Sequence, residues 1–409
     1  MRTRIIIGIA LVLVFIPAVA STAGFDTVRQ FLSSIFAVTI TPADLRARYT
    51  FQNIKVLVVP GHDSDYPGTE HRGLLEADLN LKVAEHLLAY LKNDSHFVAL
   101  ATRNPKTGAY TDEFSSYFKR EEGAIKEFYE NAQILTTSLF NANLLETRQP
   151  LQHAFAPGEM VTRLYGINKW ANENKIDITL HIHLNDYPGR NHRRPGKYSG
   201  FTIYVPERQY PNGPTSRDFA APVFQELSTS LAVSDLPQEM AGVVEDQELI
   251  AIGSNASREG VSLLIEYGYI YEPQFINPET QNLMAKELAL LTYRGMKRYF
   301  EAESVAAIQD TMLLPHTWHT FLAQGIRGNM DVLALQKALT KEKLYPPPGK
   351  TLSECPINGN FGPCVESSVK LFQEKYATEI YGDVKPALYS GTVGEATRKV
   401  LNAWHSAVR

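Results

Sequence analysis

The chain has 409 residues, 44% of them hydrophobic and 21% charged, with a formal net charge of -4. At roughly 100 to 200 residues per domain, this length calls for two or three units. The balanced, slightly acidic charge excludes the basic excess on which a general nucleic-acid or anionic-membrane binder depends. The N-terminus, MRTRIIIGIALVLVFIPAVASTAG, carries two arginines, an apolar run from Ile5 to Phe15, a proline and the small-x-small triplet Ala18-Val19-Ala20. That order is the order of a secretory signal, residues 1–20, cleaved after Ala20; left uncleaved, it is a short membrane anchor. Residues 21–50 are read as a leader segment, and the body is expected outside the cytoplasm, in the periplasm or cell wall.

Apolar runs that predict buried strands follow at Lys55 to Val59, Phe97 to Ala101, Ile176 to Ile182, Gly200 to Val205 and Val261 to Ile265. Between them, helical spacing predicts helices over Ala77 to Leu91, Glu159 to Asn174, Ser216 to Leu231 and Pro278 to Phe300. The alternation predicts an α/β domain over 51–301: a twisted, mostly parallel sheet with helices on both faces, whose sites gather at strand ends. Asn104 to Pro157 is long, polar and helix-rich, and reads as a surface insertion or a lid. Residues 302–328 read as a linker. Beyond it, "DVLALQKAL", "VESSVKLFQEKYATEIYG" and "GTVGEATRKVLNAWHSAV" predict a small three-helix unit over 329–407. The two cysteines of the chain, Cys355 and Cys364, stand close together in an exported protein and predict a local disulfide.

The chemistry concentrates at strand ends. In "VVPGHDSDYPG" the first strand runs through proline and glycine into His62. Glu76 follows at the start of a helix, where a carboxylate also complements the helix dipole. In "IDITLHIHLND", His181 and His183 share a strand and are read as facing opposite sides of the sheet, so that one of them reaches the end where His62 sits. Two imidazoles and a carboxylate from separate elements match a catalytic zinc site with its fourth position open to water. Such a site needs a base to take the water's proton. Glu266, delivered by the apolar strand "VSLLIEYGY", has little structural reason to be there unless it works.

The segments "VVPGHDSDYPGTEHRGLLEADLNLKVA", "RLYGINKWANENKIDITLHIHLND", "GFTIYV" and "LLIEYGYIYEP" stand in the order and spacing of the zinc-dependent N-acetylmuramoyl-L-alanine amidases of the amidase 3 type, which the chain resembles from Val56 to Phe300. The resemblance implies that His62, Glu76 and His183 bind one Zn2+ and that Glu266 is the catalytic acid/base. It implies hydrolysis of the amide between N-acetylmuramic acid and L-alanine in peptidoglycan. Asn185 matches the family's asparagine and is expected to shape the strand end near substrate. His181 has no counterpart and reads as a second-face or core histidine. "GHDS" and "EYGY" depart from the family's usual forms without removing a ligand. The tail resembles a peptidoglycan-binding domain of the type 1 helical family.

Other readings compete locally. Glu70 and His71 are rival ligands, Asp63 and Asp65 resemble part of a calcium loop, and the loop "GRNHRRPGKYSG" places Arg190, Arg193, Arg194 and Lys197 where an acidic stem peptide would meet them. Asn185, Arg190 and Arg193 are taken as substrate-binding candidates. A zinc peptidase cutting within the stem peptide and a non-catalytic wall-binding protein are the alternative functions. The expected partner is peptidoglycan, with no nucleic acid, a monomeric state and an unidentified regulatory protein.

Overall fold

The structure is a computed structural model that describes residues 40–149, 151, 153, 156–253, 260–383, 386 and 388–406. The expected signal, residues 1–20, lies outside them. The described chain opens on helix α1 (Pro42–Phe51). A capping box starts it: the Thr41 hydroxyl accepts from the Asp44 N–H, the Asp44 carboxylate accepts from the Thr41 N–H, and proline takes the first turn. Leu45 and Tyr49 bury into the main core, and Arg48 pairs with Asp177 at 2.5 Å. The leader expectation for 21–50 is thus corrected at its end, since these residues belong to the packed body.

Strand β1 (Ile54–Pro60), the two-residue strands β2 (Glu70–His71) and β3 (Leu74–Leu75), helix α2 (Glu76–Asn93) and strand β4 (Phe97–Ala101) follow. Next come α3 (Asp112–Arg120), α4 (Glu122–Asn141), α5 (Gly158–Glu173), β5 (Ile178–Asn185), β6 (Thr202–Pro206) and α6 (Gly213–Leu227). The body closes with β7 (Val243–Asp246), β8 (Val261–Tyr269), α7 (Pro273–Ile276) and α8 (Pro278–Phe300). One six-stranded sheet has the order β4-β1-β5-β8-β6-β7. All neighbours run parallel except β6, which is antiparallel to β8. This is the mostly parallel sheet that alternating strands and helices predict.

Strand alternation sorts the side chains onto two faces. Val56, Val58, Leu180, Ile182, Leu263 and Ile265 join the large core beneath α2, α6 and α8. Leu57 and Val59 point the other way, against Phe114, Tyr117, Ile125, Tyr165 and Trp170 of α3, α4 and α5. The segment 104–157 is therefore no detachable surface insertion. Two of its helices close one face of the sheet, and removing them would return Leu57 and Val59 to water.

The segment expected to be a linker is also packed. Leu313, Leu314, Trp318 and Leu322 are buried, the Trp318 indole donates to the Asp331 carbonyl at 2.8 Å, and Leu322 bridges to Val393. Helices α9 (Met330–Lys341), α10 (Pro363–Lys375), the short α11 (Ala377–Tyr381) and α12 (Glu395–His405) complete the tail. Its two glycine turns are held alike: the Gln336 side chain accepts from the N–H of Gly359, and that of Gln373 from the N–H of Gly391. Both glycines have positive φ, a conformation other residues reach only with strain. Cys355 and Cys364 form a disulfide. Among the described residues, no helix is long and apolar enough to cross a membrane.

The tail is bolted to the body through a buried charge. Glu287 of α8 is fully buried and accepts from Ser230 at 2.8 Å, Thr311 at 2.9 Å and the Met312 N–H at 2.6 Å. Lys337 of α9 lies 3.6 Å away and donates to Ser230 at 2.6 Å. Removing one member of a buried pair strands the other, typically at a cost of about 3 to 5 kcal/mol. Lys337→Met should lower unfolding stability by about 3 kcal/mol in urea titrations. The double variant Lys337→Met, Glu287→Gln should recover part of that loss, because no unpaired charge remains.

Candidate metal centre and catalytic cavity

At the C-terminal end of β1 the chain reaches His62 with φ of +63°. A β-substituted residue holds that left-handed conformation at a cost of about 1 to 2 kcal/mol, and only where its surroundings over-determine it. What surrounds it is Glu76. This residue opens α2 at 3% exposure, and its carboxylate accepts from the backbone N–H groups of Thr69 at 3.0 Å and Leu184 at 3.2 Å. His62 Nε2 lies 3.2 Å from Glu76 Oε2, and His183 Nδ1 lies 3.0 Å from Oε1. The two imidazoles meet edge to face at 5.0 Å, and one donor atom from each of the three residues falls within 4.8 Å of the others.

Two glycines make the convergence possible. A Cβ on Gly61 would stand 2.3 Å from the His183 ring, and one on Gly68, at φ +79°, would stand 2.4 Å from Glu76 Oε2. Electrostatics agree with the geometry. Burial by itself would raise the Glu76 carboxyl, but the His62 charge and the hydrogen bonds from both histidines hold it well below the usual range. Burial works to lower His62, yet the adjacent Glu76 raises it; His183 is lowered, chiefly by burial. Two imidazoles and a carboxylate at this spacing, from three separate elements, are a donor set that fits a divalent ion of zinc's kind.

His62 and His183 of the triad open onto a cavity of about 430 Å³ also lined by Glu266, His181, His153, Leu164, Ile167 and Leu264. Glu266 stands on β8 directly opposite His183 of β5 in the sheet register. Its Oε2 is buried without a partner among the described residues. Burial first, and then the negative charges of Glu76 and Glu239, push its carboxyl well above the usual range. Such a group holds a proton that an ordinary carboxylate would release.

Several sequence expectations are corrected here. His181 and His183 are two positions apart, so alternation puts them on the same face, and both line the cavity. His181 is 1% exposed, its Nε2 has no partner, and burial pushes the imidazole down to about 3. Asn185 lies beyond an irregularity in β5 and donates to both oxygens of buried Glu239 at 2.9 Å. Glu239 also accepts from Tyr204 at 2.7 Å and Tyr269 at 3.2 Å, so Asn185 is bound within this network and does not line the cavity. Arg190 is buried and engaged with Asp186 at 2.5 Å and with the carbonyl of Glu70 at 2.6 Å, which fastens the basic loop to β2. Arg193 is exposed and lines none of the cavity.

The rival ligands do not converge. Glu70 accepts from the Gly73 N–H, and His71 is buried outside the triad. Asp63 and Asp65 face a cation of the protein's own: Arg163 donates to Asp63 at 2.6 Å, to Asp65 at 2.9 Å and to Glu159 at 2.6 Å. His153, in contrast, carried no signal in the sequence. Its Nε2 lies 2.6 Å from Asp246 of β7, and its ring meets Tyr204 edge to face.

Residues 56–298 match the family Amidase_3, N-acetylmuramoyl-L-alanine amidase. The chain belongs to this amidase family, a family of peptidoglycan hydrolases. Solved structures similar to it include an N-acetylmuramoyl-L-alanine amidase from Clostridium difficile 630, at 18% identity and a TM-score of 0.37, covering 61% of this chain and 98% of that one. The amidase AmiC2 of Nostoc punctiforme has 18% identity and a TM-score of 0.36, with coverage of 61% and 97%. The CwlD amidase from Clostridioides difficile, solved in complex with the GerS lipoprotein, has 18% identity and a TM-score of 0.40, with coverage of 61% and 100%. No curated protein matches the sequence.

The Asp63–Arg163 pair ties the residue after His62 to α5, and it generates a pH prediction. Burial works to raise Asp63, but hydrogen bonds from the Tyr66 backbone, Arg163 and Tyr110 outweigh it and lower the carboxyl. A depressed folded-state value adds stability above the unfolded value, and that stability is lost as pH falls through the folded one. Arg163→Met should therefore melt below the wild type at neutral pH. The gap should narrow as acid protonates Asp63, which thermal melts across the pH range will check.

Proposed function

We propose that the protein is an exported zinc amidase that hydrolyses the bond between the lactyl carbonyl of N-acetylmuramic acid and the amine of L-alanine. The observation that carries this reading is the convergence of His62, Glu76 and His183 at the mouth of a cavity that also holds Glu266. His62, Glu76 and His183 would hold the ion, which when bound supplies Lewis-acid polarisation of water and of the scissile carbonyl. Glu266, as the carboxylate, takes the proton of the attacking water, the burial and neighbouring negative charges that raise its carboxyl making it the stronger base, and then delivers that proton to the departing amine nitrogen. Glu76, fixed by two backbone N–H groups, keeps both imidazoles turned inward. The apolar walls around Ile167 and Leu264 limit water at the reacting centre.

The helical tail is read as a peptidoglycan-binding module that holds the enzyme on its polymer. Its two glutamine-anchored glycine turns support that reading as paired, repeat-like elements. Glu266→Gln should keep one equivalent of bound zinc while hydrolysis falls about 10²- to 10⁴-fold. His62→Ala and His183→Ala should lose metal and activity together. Metal analysis paired with mass spectrometry of released muropeptides makes the check, and full hydrolysis in the Glu266 variant would sink the assignment.

A further inference from the structure

The metal triad and Glu266 account for the mouth of the cavity but not for its floor. From His183 the cavity runs inward along the sheet to His181, two residues deeper, which lies between Val59 of β1 and Leu264 of β8 in the strand register. Leu164 and Ile167 of α5 and Leu249 complete the walls of this inner part. This inner part is thus apolar apart from two buried polar groups, His181 at 1% exposure and the fully buried Thr102, whose Nε2 and Oγ1 meet no partner among the described residues. A buried imidazole nitrogen left unpaired costs free energy, and native interiors satisfy nearly all such groups. One that lines a cavity beside a reacting centre is positioned to be satisfied by what enters it.

Resting on the amidase reading, we infer that the inner cavity is a subsite for the N-acetyl group of muramic acid, with His181 hydrogen-bonded to the acetamido group and Val59, Ile167 and Leu264 around its methyl. The argument is one of chemical match. The groups flanking the scissile amide are the lactyl methyl, the alanine methyl, the sugar hydroxyls, the next residue of the stem and the 2-acetamido group. The two methyls leave His181 unpaired, and the hydroxyls carry nothing to fill an apolar wall. A charged stem carboxylate would enter an environment with no cation among its lining residues except Arg163, which is already held by three carboxylates. The acetamido group alone combines a small apolar end with a hydrogen-bonding amide, and an imidazole, having one donor and one acceptor nitrogen, can serve either its carbonyl or its N–H. His181 is then a specificity residue that touches substrate away from the breaking bond.

The test compares N-acetylmuramoyl-L-alanyl-D-glutamine with the same compound bearing a free 2-amine, on the full-length zinc-loaded protein. A site built to hydrogen-bond and enclose a group rejects the analogue lacking it, so kcat/KM should favour the acetylated compound by about 10- to 100-fold. His181→Phe should shrink this preference toward unity, mainly through KM, and His181→Gln, which keeps a donor, should retain part of it. Independently of turnover, ¹⁵N-histidine spectra of the Glu266→Gln protein should show the His181 signals moving on addition of the acetylated compound but not of the free amine. Cleavage of both compounds at equal rates, an unchanged preference in His181→Phe, or His181 signals indifferent to ligand would each overturn the subsite. A protein that neither cleaves nor binds either compound, nor peptidoglycan, would overturn the amidase reading and the subsite with it.

Discussion

The carboxylate of Glu76 is nearly excluded from water, and a buried anion persists only when hydrogen bonds or opposite charge answer it. Here the answer comes from the N–H of Thr69, the N–H of Leu184, the Asn80 side-chain amide, His62 and His183. Asn80 lies on α2 itself, and the other partners come from the loop after β1, the approach to the hairpin of β2 and β3, and the end of β5, so satisfying one charge fixes these and the start of α2 against one another. The left-handed backbone at His62 and the bare Cα atoms of Gly61 and Gly68 are the local concessions this requires. A donor set that is rigid before the ion arrives loses little freedom when it binds.

The sheet behind the site does the aiming. Parallel β1, β5 and β8 deliver His62, His183 and Glu266 to one edge, and strand alternation keeps Val59, His181, His183, Leu264 and Glu266 on the face turned toward α5. Helices α3 and α4, which sequence reading took for a surface addition, seal that face farther along. A second buried carboxylate, Glu239, lies close enough to raise Glu266 and is itself held by Asn185, Tyr204 and Tyr269. Glu266 thus stands between two fixed negative charges, which raise its carboxyl.

Much of this was legible in the sequence where hydrophobic runs end in glycine or a lone polar residue. The runs at β1, β5, β6 and β8 stand out because interior strands of a mostly parallel sheet are buried on both faces, while β4, at the sheet's edge, is apolar though only partly buried. His62, Glu76, His183 and Glu266 stand out because polar groups at such strand ends need a reason. What escaped reading has physical causes as well. Strand β7 is a four-residue edge strand, Val243–Asp246, with alternating burial and two acids, which resembles a loop in sequence. With it went Asp246 and its partner His153, whose pairing spans 93 positions and has no local signature. Helix α1 has a very weak amphipathic pattern, and only its Thr41-x-x-Asp44 capping box marks it. The side of the sheet to which His181 belongs follows from alternation and was misassigned by one position, whereas the engagement of Arg190 with Asp186 and of Asn185 with Glu239 depends on tertiary contacts that spacing does not encode.

The central claim is that water, activated between the triad and Glu266, attacks the lactyl carbonyl. Digestion of purified peptidoglycan in H2¹⁸O by the zinc-loaded protein tests it most directly, with mass spectrometry locating the label. The account predicts ¹⁸O in the carboxylate of the released N-acetylmuramic acid and an unlabelled stem peptide beginning at a free L-alanine amine. Label in a peptide carboxylate within the stem would contradict it and make the protein a peptidase. Absence of any labelled product would remove the catalytic claim altogether.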